Sequence, residues 1–231
     1  MPERLRVYAI GDVHGRLDLL DQLFERIEYD VRKGTHFETL YVFLGDYIDR
    51  GPDSSGVIER LIAFSSNQRT ICLKGNHEAF LLDFFGNPSL LQEWGRYGGL
   101  NTLMSYGVRP PLQPDAAQSA EIAAALFRAM PQAHRDFLEN LRSSLTLGDF
   151  FFVHAGVRPH IALAHQVEED LLWIREEFLL HEQSFDKMVV HGHSPVRQPE
   201  VLDNRINIDT GAYATGRLTC LVLEGEDLRF L

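Results

Sequence analysis

The sequence predicts an α/β fold, because short strand-like segments alternate with helical ones along its first third. Segments 5–10, 38–44 and 70–73 are apolar, rich in β-forming residues, and end beside Gly. Between them, apolar residues recur every three or four positions over 17–32, which predicts an amphipathic helix. A second helix is predicted over 56–64, behind an Asp or Ser cap. This alternation indicates a largely parallel central sheet.

The middle of the chain, from about 78 to 143, contains helical patterns and no strand signal. Ile122, Leu126 and Met130 recur at fourth positions behind the candidate caps Asp115 and Ser119. We interpret this segment as a helical insertion within a single domain that spans 1–231. Most of its aromatic residues are expected to pack in the core.

Strand patterns resume in the last third of the chain. Segment 146–151 predicts a hairpin, and 205–208 predicts another strand. Segments 218–223 and 228–231 predict a closing hairpin around a glycine. A helix is expected over 170–180, with Leu171, Ile174 and Phe178 on one face.

The composition is that of a globular protein with one well-filled core. The chain has 231 residues, of which 45% are hydrophobic and 24% are charged. Its formal net charge of −11 argues against nucleic acid or an anionic membrane as a partner. Cys72 and Cys220 form no disulfide framework, which favours a reducing cytoplasm. We expect neither a signal region nor a membrane span.

Five predicted strands end in a small residue beside Asp, Asn or His. Singly, each is most simply a turn residue: Asp46 could begin a turn, and Asp49-Arg50 could be an exposed pair. Together they offer oxygen and imidazole donors for a divalent metal at the sheet edge where ligands usually bind. The five motifs lie at 11–15, 45–51, 75–78, 154–156 and 191–193.

With these motifs the chain resembles the calcineurin-like metallophosphoesterases, and specifically their phosphoprotein phosphatase branch. The most specific matches are Gly-Asp-x-x-Asp-Arg-Gly at 45–51 and Gly-Asn-His-Glu at 75–78. The short spacing and the Gly-His-Ser-Pro form at 192–195 are most similar to small bacterial and phage serine/threonine phosphatases. The resemblance implies a β-sandwich of two mixed sheets flanked by helices, with the metal motifs on loops along one edge.

The resemblance also implies two divalent metal ions. Asp46 would bridge them, and the mixed oxygen and nitrogen donors favour Mn, with Fe or Zn as alternatives. We expect Asp12 and His14, two residues apart on an extended chain, to point the same way. The predicted ligands are Asp12, His14 and Asp46 for one ion, and Asn76, His154, His193 and the shared Asp46 for the other.

By the same resemblance, His77 protonates the leaving group after a metal-activated hydroxide attacks phosphorus. His77 follows a ligand, and on an extended loop its side chain would point elsewhere than that of Asn76. Asp49 would orient His77 and hold it charged. A purely structural Asp49–His77 ion pair is the alternative.

Arg50, Arg175 and Asn76 are the predicted substrate-binding residues. Arg50 and Arg175 offer guanidinium forks that suit phosphate oxygens. The Arg175 assignment depends on the local pattern Leu-Leu-Trp-Ile-Arg at 171–175. A surface salt bridge from Arg175 to Glu168 or Glu169 is the alternative.

We assign no metal-binding role to the remaining histidines. His191 could share the side of the chain that His193 uses, but we predict His193 as the ligand and His191 as a supporting or packed residue. The others are expected to be solvated, namely His36, His134, His160, His165 and His181.

The predicted function is hydrolysis of phosphoserine or phosphothreonine in a protein or peptide, with phosphotyrosine as a further candidate. Asp49 and Glu78 match the protein-phosphatase form of the motifs, and the insertion offers few basic residues. One alternative is a symmetrical diadenosine tetraphosphate hydrolase or a related nucleotide phosphoesterase, for which Trp94, Tyr97 and Tyr106 could stack on a base. A non-catalytic, metal-stabilised binding module is the third reading. The sequence predicts no oligomeric state.

Overall fold

Two five-stranded mixed sheets form the framework of the protein. The computed structural model describes residues 4–33 and 38–231. The strands are β1 (Leu5–Ile10), β2 (Glu38–Phe43), β3 (Thr70–Cys72), β4 (Ser144–Leu147), β5 (Phe150–Val153), β6 (Met188–His191), β7 (Glu200–Val201), β8 (Arg205–Asn207), β9 (Cys220–Glu224) and β10 (Asp227–Phe230). The helices are α1 (Leu17–Lys33), α2 (Ser54–Ser65), α3 (Asn76–Gly86), α4 (Leu91–Arg96), α5 (Gly99–Ser105), α6 (Ala116–Ala129), α7 (Gln132–Glu139), α8 (Glu168–Trp173), α9 (Glu176–Leu179) and α10 (Ala212–Thr215).

Each sheet is parallel in its centre and antiparallel at its edges. The first sheet has the order β10-β9-β1-β2-β3, in which β1, β2 and β3 are parallel and the closing hairpin runs against β1. The second has the order β4-β5-β6-β8-β7, in which β5, β6 and β8 are parallel. The mixed sheets agree with the fold class expected from the sequence.

The two sheets share an inner core and carry helices on their outer faces. Alternate residues of β1 divide between the two sides: Val7 and Ala9 join Phe152 and Val190 of the second sheet in one buried cluster. The opposite face of β1 packs against α1 and α2 in a second cluster. The outer face of the second sheet packs against α8 and α9. This layering follows from the two-residue period of strand side chains.

The helical patterns of the first two thirds are confirmed. The side chain of Asp53 caps α2 by accepting from the backbone N–H of Gly56 at 2.8 Å. Asp115 caps α6 in a capping box with Gln118. Helices α3 to α7 bury apolar residues in the same cluster as α1 and α2, so they extend that face of the first sheet.

The single helix expected over 170–180 is wrong, because the chain breaks at Ile174 and Arg175. Ile174 is extended, with ψ of 142°, and Arg175 lies outside the helical region at φ −132° and ψ −97°. The break separates α8 from α9. It lets Leu171, Ile174 and Phe178 remain in the core while Trp173 and Arg175 face the pocket described below.

Two further features of the described residues concern the character of the helices and the state of the cysteines. Over residues 4–33 and 38–231, no helix has the length and apolar character needed to cross a membrane. Cys72 and Cys220 are both free thiols.

Candidate active site

The loops that follow the parallel strands of both sheets meet at one edge of the sandwich. The backbone N–H groups of Val13 and His14, after β1, donate to the carbonyl of Asp46 at 3.1 and 2.8 Å. Asp46 lies in the loop after β2, and the backbone N–H of Gly192, after β6, donates to the carbonyl of His154 at 2.8 Å. The five motifs therefore converge, as the topology of parallel strands requires.

Left-handed backbone is concentrated in these loops. Eight described residues other than glycine have positive φ, and five of them belong to the predicted site: His14, Asp46, Asp49, Arg50 and His193. Such conformations are unfavourable for residues with a side chain and persist only where the surroundings fix them. The loop after β1 is thus not extended, and the expected extended chain at Asp12 and His14 is wrong, since His14 has φ of 47°.

Two motif glycines leave room for carboxylates. A Cβ on Gly75 would lie 2.1 Å from Oδ1 of Asp46, and one on Gly192 would lie 2.1 Å from Oδ1 of Asp12. Any larger residue would displace these carboxylates. The small residues of the motifs are therefore required by the close approach of backbone to the two Asp side chains.

Glu78 fixes the loop that carries Asp46. Its buried carboxylate accepts from the backbone N–H groups of Asp46 at 2.9 Å, Tyr47 at 2.8 Å and Gly75 at 2.9 Å. A buried carboxylate with several backbone donors is a strong anchor. Glu78 consequently has a structural role at the site.

Three predicted ligands bring their donor atoms together in one small triangle. Oδ1 of Asn76 lies 2.9 Å from Nε2 of His154 and 2.8 Å from Nδ1 of His193. The two histidine nitrogens are 3.2 Å apart. Oδ1 of Asp46 completes the group at 3.4 Å from Nε2 of His154. Four converging oxygen and nitrogen donors are suited to a divalent ion.

The second group of donors lies on the other side of the Asp46 carboxylate. Nε2 of His14 is 3.5 Å from Oδ2 of Asp46, and Nε2 of His77 is 3.8 Å from the same oxygen. These three residues, like Asp46, His154 and His193, have donor atoms that all lie within 4.8 Å of one another. Asp46 is common to both groups, as expected of a bridging ligand.

Asp12 lies outside both of these groups, although it borders them. Its Oδ2 accepts from the backbone N–H of His193 at 3.0 Å, and its buried Oδ1 has no hydrogen-bond partner. Burial, together with the carboxylates of Asp209 and Asp46, raises the pKa of Asp12 well above its ordinary value. An unpartnered carboxylate oxygen in such surroundings lacks a nearby cation.

The other nitrogen of two of the histidines is bound to the backbone. Nδ1 of His14 contacts the carbonyl of Ile48 at 2.8 Å, and Nδ1 of His154 contacts that of Leu44 at 3.0 Å. An Nδ1–H that donates to a carbonyl leaves Nε2 with a lone pair that faces the cluster of donor side chains around Asp46. This cluster is called the centre below. This arrangement orients metal-binding histidines in many proteins.

Three histidines of the centre are held neutral. Burial lowers the pKa of His14 to about 3 and that of His193 to about 2, and it also lowers the pKa of His154. The neutral imidazole is the form that binds a metal. The donor set, the neutral imidazoles and the unpartnered Oδ1 of Asp12 all fit divalent cations.

His77 differs from these three. Burial alone would lower its pKa, but the Asp46 carboxylate and the hydrogen bond to Asp49 raise it above its ordinary value. Nδ1 of His77 lies 2.6 Å from Oδ2 of Asp49, which also accepts from Nε1 of Trp94 at 2.8 Å. Oδ1 of Asp49 accepts from the Thr102 hydroxyl at 2.6 Å. This network favours the protonated form of the His77 imidazole.

The local structure at His77 corrects one expectation. Asn76 and His77 begin α3, so they do not lie on an extended loop. Consecutive residues of a helix point in directions about 100° apart, which still sends the two side chains to different places. The separation predicted from the sequence therefore holds, for a different reason.

The two predicted arginines flank the centre. Nη2 of Arg50 is 3.4 Å from Nε2 of His77, and its guanidinium carbon lies 4.5 Å above the ring of Tyr213. Nη1 of Arg175 donates to the Ser194 hydroxyl at 3.2 Å. Among the described residues Arg175 has no salt bridge to Glu168, whose carboxylate binds Lys74 at 2.9 Å instead. Both guanidinium groups thus face the pocket.

These residues line a pocket of about 200 Å³ that also contains groups missed by sequence reasoning. Trp173 and Asp209 form part of its wall, and Tyr213 borders it through contacts with His14 and Arg50. Of these, Trp173 could have been found from the sequence, since it is two residues from Arg175. The full lining is His14, Asp46, Arg50, Asn76, His77, Tyr97, Trp173, Arg175, His193, Pro195 and Asp209.

Two of the three aromatic residues considered for base stacking are not available. Trp94 is fully buried, and its indole N–H binds Asp49. The hydroxyl of Tyr106 contacts Nδ1 of His134 at 2.8 Å, away from the pocket. Tyr97 alone of the three lines the site.

The remaining histidines differ in burial. His134 was expected to be solvated, but it is buried between Tyr106 and Glu59. His191 is packed as expected, with its ring 4.9 Å from that of Phe178. His36 lies outside the described residues. His160 and His165 are exposed, and His181 is partly buried.

Residues 5–221 match the model of the calcineurin-like phosphoesterase family, so the chain belongs to this family. The coarser part of the resemblance is thereby confirmed. Nothing in the match distinguishes the phosphoprotein phosphatase branch from others.

Its similar curated relatives carry a nucleotide-related name. A bis(5'-nucleosyl)-tetraphosphatase PrpE [asymmetrical] from Oceanobacillus iheyensis is 25% identical over 93% of this chain and 87% of its own length. The protein of the same name from Bacillus velezensis is 29% identical over 91% of this chain and 86% of its own length.

Solved structures of mixed activity share the fold. One provisionally assigned as a diadenosine tetraphosphatase superimposes with a TM-score of 0.67 and 20% identity, over 98% of this chain and 92% of its own. The cold-active protein-tyrosine phosphatase of a Shewanella species gives 0.66 and 17% identity, over 100% of this chain and 80% of its own. At these identities the likeness shows the fold alone.

Proposed function

We propose that the protein is a metal-dependent hydrolase that cleaves a bis(5'-nucleosyl) tetraphosphate asymmetrically. The observation that carries the hydrolase assignment is the buried Asp46 carboxylate, whose Oδ2 lies 3.5 Å from Nε2 of His14 and whose Oδ1 lies 3.4 Å from Nε2 of His154. The choice of substrate is supported by relatives of that name, which align with this chain over most of their length.

The predicted ligands would hold two divalent ions, with Mn as the proposed metal. Asp12, His14 and Asp46 would serve one, and Asn76, His154, His193 and the shared Asp46 the other. The ions, when bound, supply Lewis-acid polarisation of the phosphoryl oxygens and activation of the attacking water.

The other residues of the pocket act on the substrate directly. His77, kept protonated by Asp49, donates its proton to the leaving oxygen. Arg50 and Arg175 both line the pocket and orient the phosphoryl oxygens with charge-assisted hydrogen bonds. Asn76 also lines the pocket, and its neutral amide N–H group can donate to a phosphoryl oxygen.

The expectation of a preference for phosphoserine and phosphothreonine loses its basis once Asp49 and Glu78 are located. Glu78 binds backbone N–H groups of the Asp46 loop, and Asp49 binds His77 and Trp94. Both residues serve the centre that all of these reactions share, so neither discriminates between substrates. The named relatives favour the nucleotide reading.

A phosphotyrosine peptide is the second candidate substrate. The exposed rings of Trp173 and Tyr97 border the pocket, and they could pack against the phenyl ring of a phosphotyrosine as well as against a nucleobase.

A comparison of kcat/KM at one Mn concentration tests the proposal. The substrates are diadenosine tetraphosphate, a phosphotyrosine peptide and a phosphothreonine peptide. We expect the dinucleotide to be preferred and to give AMP and ATP in equal amounts. A clear preference for either peptide would overturn the choice of substrate, and inactivity on all three with bound Mn would overturn the hydrolase assignment.

A further inference from the structure

Trp173 is the one residue in its stretch of α8 that faces solvent with a large apolar surface. Leu171, Leu172 and Ile174 around it are 5%, 4% and 6% exposed, whereas Trp173 is 39% exposed. The helix break after Trp173 allows this arrangement. A partly exposed indole beside a catalytic pocket is suited to contact a flat ligand.

The indole stands against the centre itself. Its ring lies 6.3 Å from that of His193 and nearly perpendicular to it, at 85°. The indole also lines both the pocket at the donor groups and the groove next to it. A flat group stacked on Trp173 would lie next to whatever occupies the pocket.

The pocket at the centre is too small for a whole nucleotide. Its volume is about 200 Å³, less than the roughly 300–1,000 Å³ typical of sites for drug-sized ligands. An adjoining groove of about 430 Å³ shares the walls Trp173 and Arg175 with it. A nucleoside joined to a phosphate in the pocket can extend into this groove.

The charge of the groove favours a neutral group. Its lining includes the carboxylates of Glu169, Asp170, Glu176 and Glu177. The one arginine besides Arg175 in that lining, Arg158, already binds Asp170 at 2.7 Å and Glu177 at 2.8 Å. Such a surface repels phosphate, but carboxylates accept hydrogen bonds from ribose hydroxyls. The groove thus suits a nucleoside and not the polyphosphate chain.

We propose, on the basis of the function above, that Trp173 is the stacking platform for the nucleobase attached to the attacked phosphorus. Because the platform adjoins His193, a single sugar connects the stacked base to the phosphorus at the centre. The first phosphorus of that nucleotide, and not its second, is then placed for attack.

This placement determines the products. A water oxygen bonds to the first phosphorus, and the bond from that phosphorus to the oxygen bridging it to the second phosphorus breaks. The leaving nucleoside triphosphate receives the proton of His77, and a nucleoside monophosphate remains. Trp173 acts here as a specificity-determining residue, since the acidic groove excludes a register in which the polyphosphate lies on that side.

Tryptophan fluorescence tests the platform without turnover. The chain has two tryptophans, and the other, Trp94, is fully buried. We expect AMP to quench the fluorescence of the wild-type protein, and ribose 5-phosphate, which has no base, to leave it unchanged. Trp173→Phe should abolish the AMP signal. Equal effects of the two ligands, or quenching that persists in Trp173→Phe, would overturn the proposal.

Kinetics provide the second test. Trp173→Ala should lower kcat/KM for diadenosine tetraphosphate about tenfold. The loss on p-nitrophenyl phosphate, which has no base, should be several-fold smaller, and Trp173→Phe should recover most of the dinucleotide activity. Tyr29→Ala, which removes an exposed ring on α1, is the control. Equal losses on both substrates in Trp173→Ala would refute the platform. A wild-type protein that binds AMP through Trp173 but does not cleave the dinucleotide would refute the proposed function alone.

Discussion

The buried centre and the exposed rim of the pocket are built in different ways. Asp46, Asp49 and His77 are 2%, 0% and 2% exposed, and hydrogen bonds fix each of them. Trp173 and Tyr97 on the rim are 39% and 41% exposed, and their side chains make ring contacts with neighbouring residues. Many hydrogen bonds fix the side chains of the centre, and hydrolysis of any phosphate ester would require that arrangement. The rim is free to vary with the substrate.

The largest expected effect comes from the centre. Asp46→Asn removes the one carboxylate common to both donor groups while preserving its size. We expect metal content to fall from two ions per chain to one or fewer, and activity to fall close to background on every substrate. Metal analysis of the purified variant provides the measurement. Two tightly bound ions in Asp46→Asn would remove the basis for a bridging role.

His77→Asn should have the next largest effect, without loss of metal. Removing a general acid typically costs about 10²–10⁴-fold in rate. We expect a loss of about 10²-fold in kcat on phenyl phosphate and a smaller loss on p-nitrophenyl phosphate, whose leaving group needs less protonation. Equal losses on the two substrates would argue that His77 serves in another capacity.

The protonation state of His77 also gives a pH dependence. The pKa of His77 is raised, and the group acts in its protonated form, so kcat/KM on phenyl phosphate should fall as pH rises through that pKa. The limb should disappear in His77→Asn. Its persistence in the variant would assign the titration to a different group.

A smaller effect is expected from Arg175→Ala, at the boundary between centre and rim. Loss of one charge-assisted donor should raise KM about tenfold and weaken inhibition by inorganic phosphate to a similar degree. Arg69→Ala, which removes an arginine paired with Glu38 on the surface, is the matched control. Unchanged kinetics in Arg175→Ala would show that Arg175 does not contact substrate.

The difference between the buried centre and the exposed rim also explains which parts of the site could be predicted from the sequence. Asp12, Asp46, Asn76 and the ligand histidines occur at strand ends, where spacing and glycine neighbours mark them. Close approach of backbone to carboxylate requires glycine at Gly75 and Gly192, so the constraint is visible in the chain itself.

The residues of the rim show no such pattern in the sequence. Trp173 reaches the pocket because a helix breaks at Ile174, and the apolar period of 170–180 gives no sign of that break. The left-handed conformation of His14 is likewise set by contacts with the Asp46 loop, and this loop is distant from His14 in the sequence. The motif residues that the sequence offers for a substrate prediction, Asp49 and Glu78, belong to the centre.

The most direct test measures a ratio of two activities in one variant of the centre and one variant of the rim. The ratio is kcat/KM for diadenosine tetraphosphate divided by that for p-nitrophenyl phosphate, measured in the wild type, Asp49→Asn and Trp173→Ala. Asp49→Asn should slow both reactions and leave the ratio close to the wild-type value, because both leaving groups are weak bases that depend similarly on His77. Trp173→Ala should lower the ratio several-fold. A ratio that falls in Asp49→Asn and holds in Trp173→Ala would contradict the separation of chemistry and substrate choice.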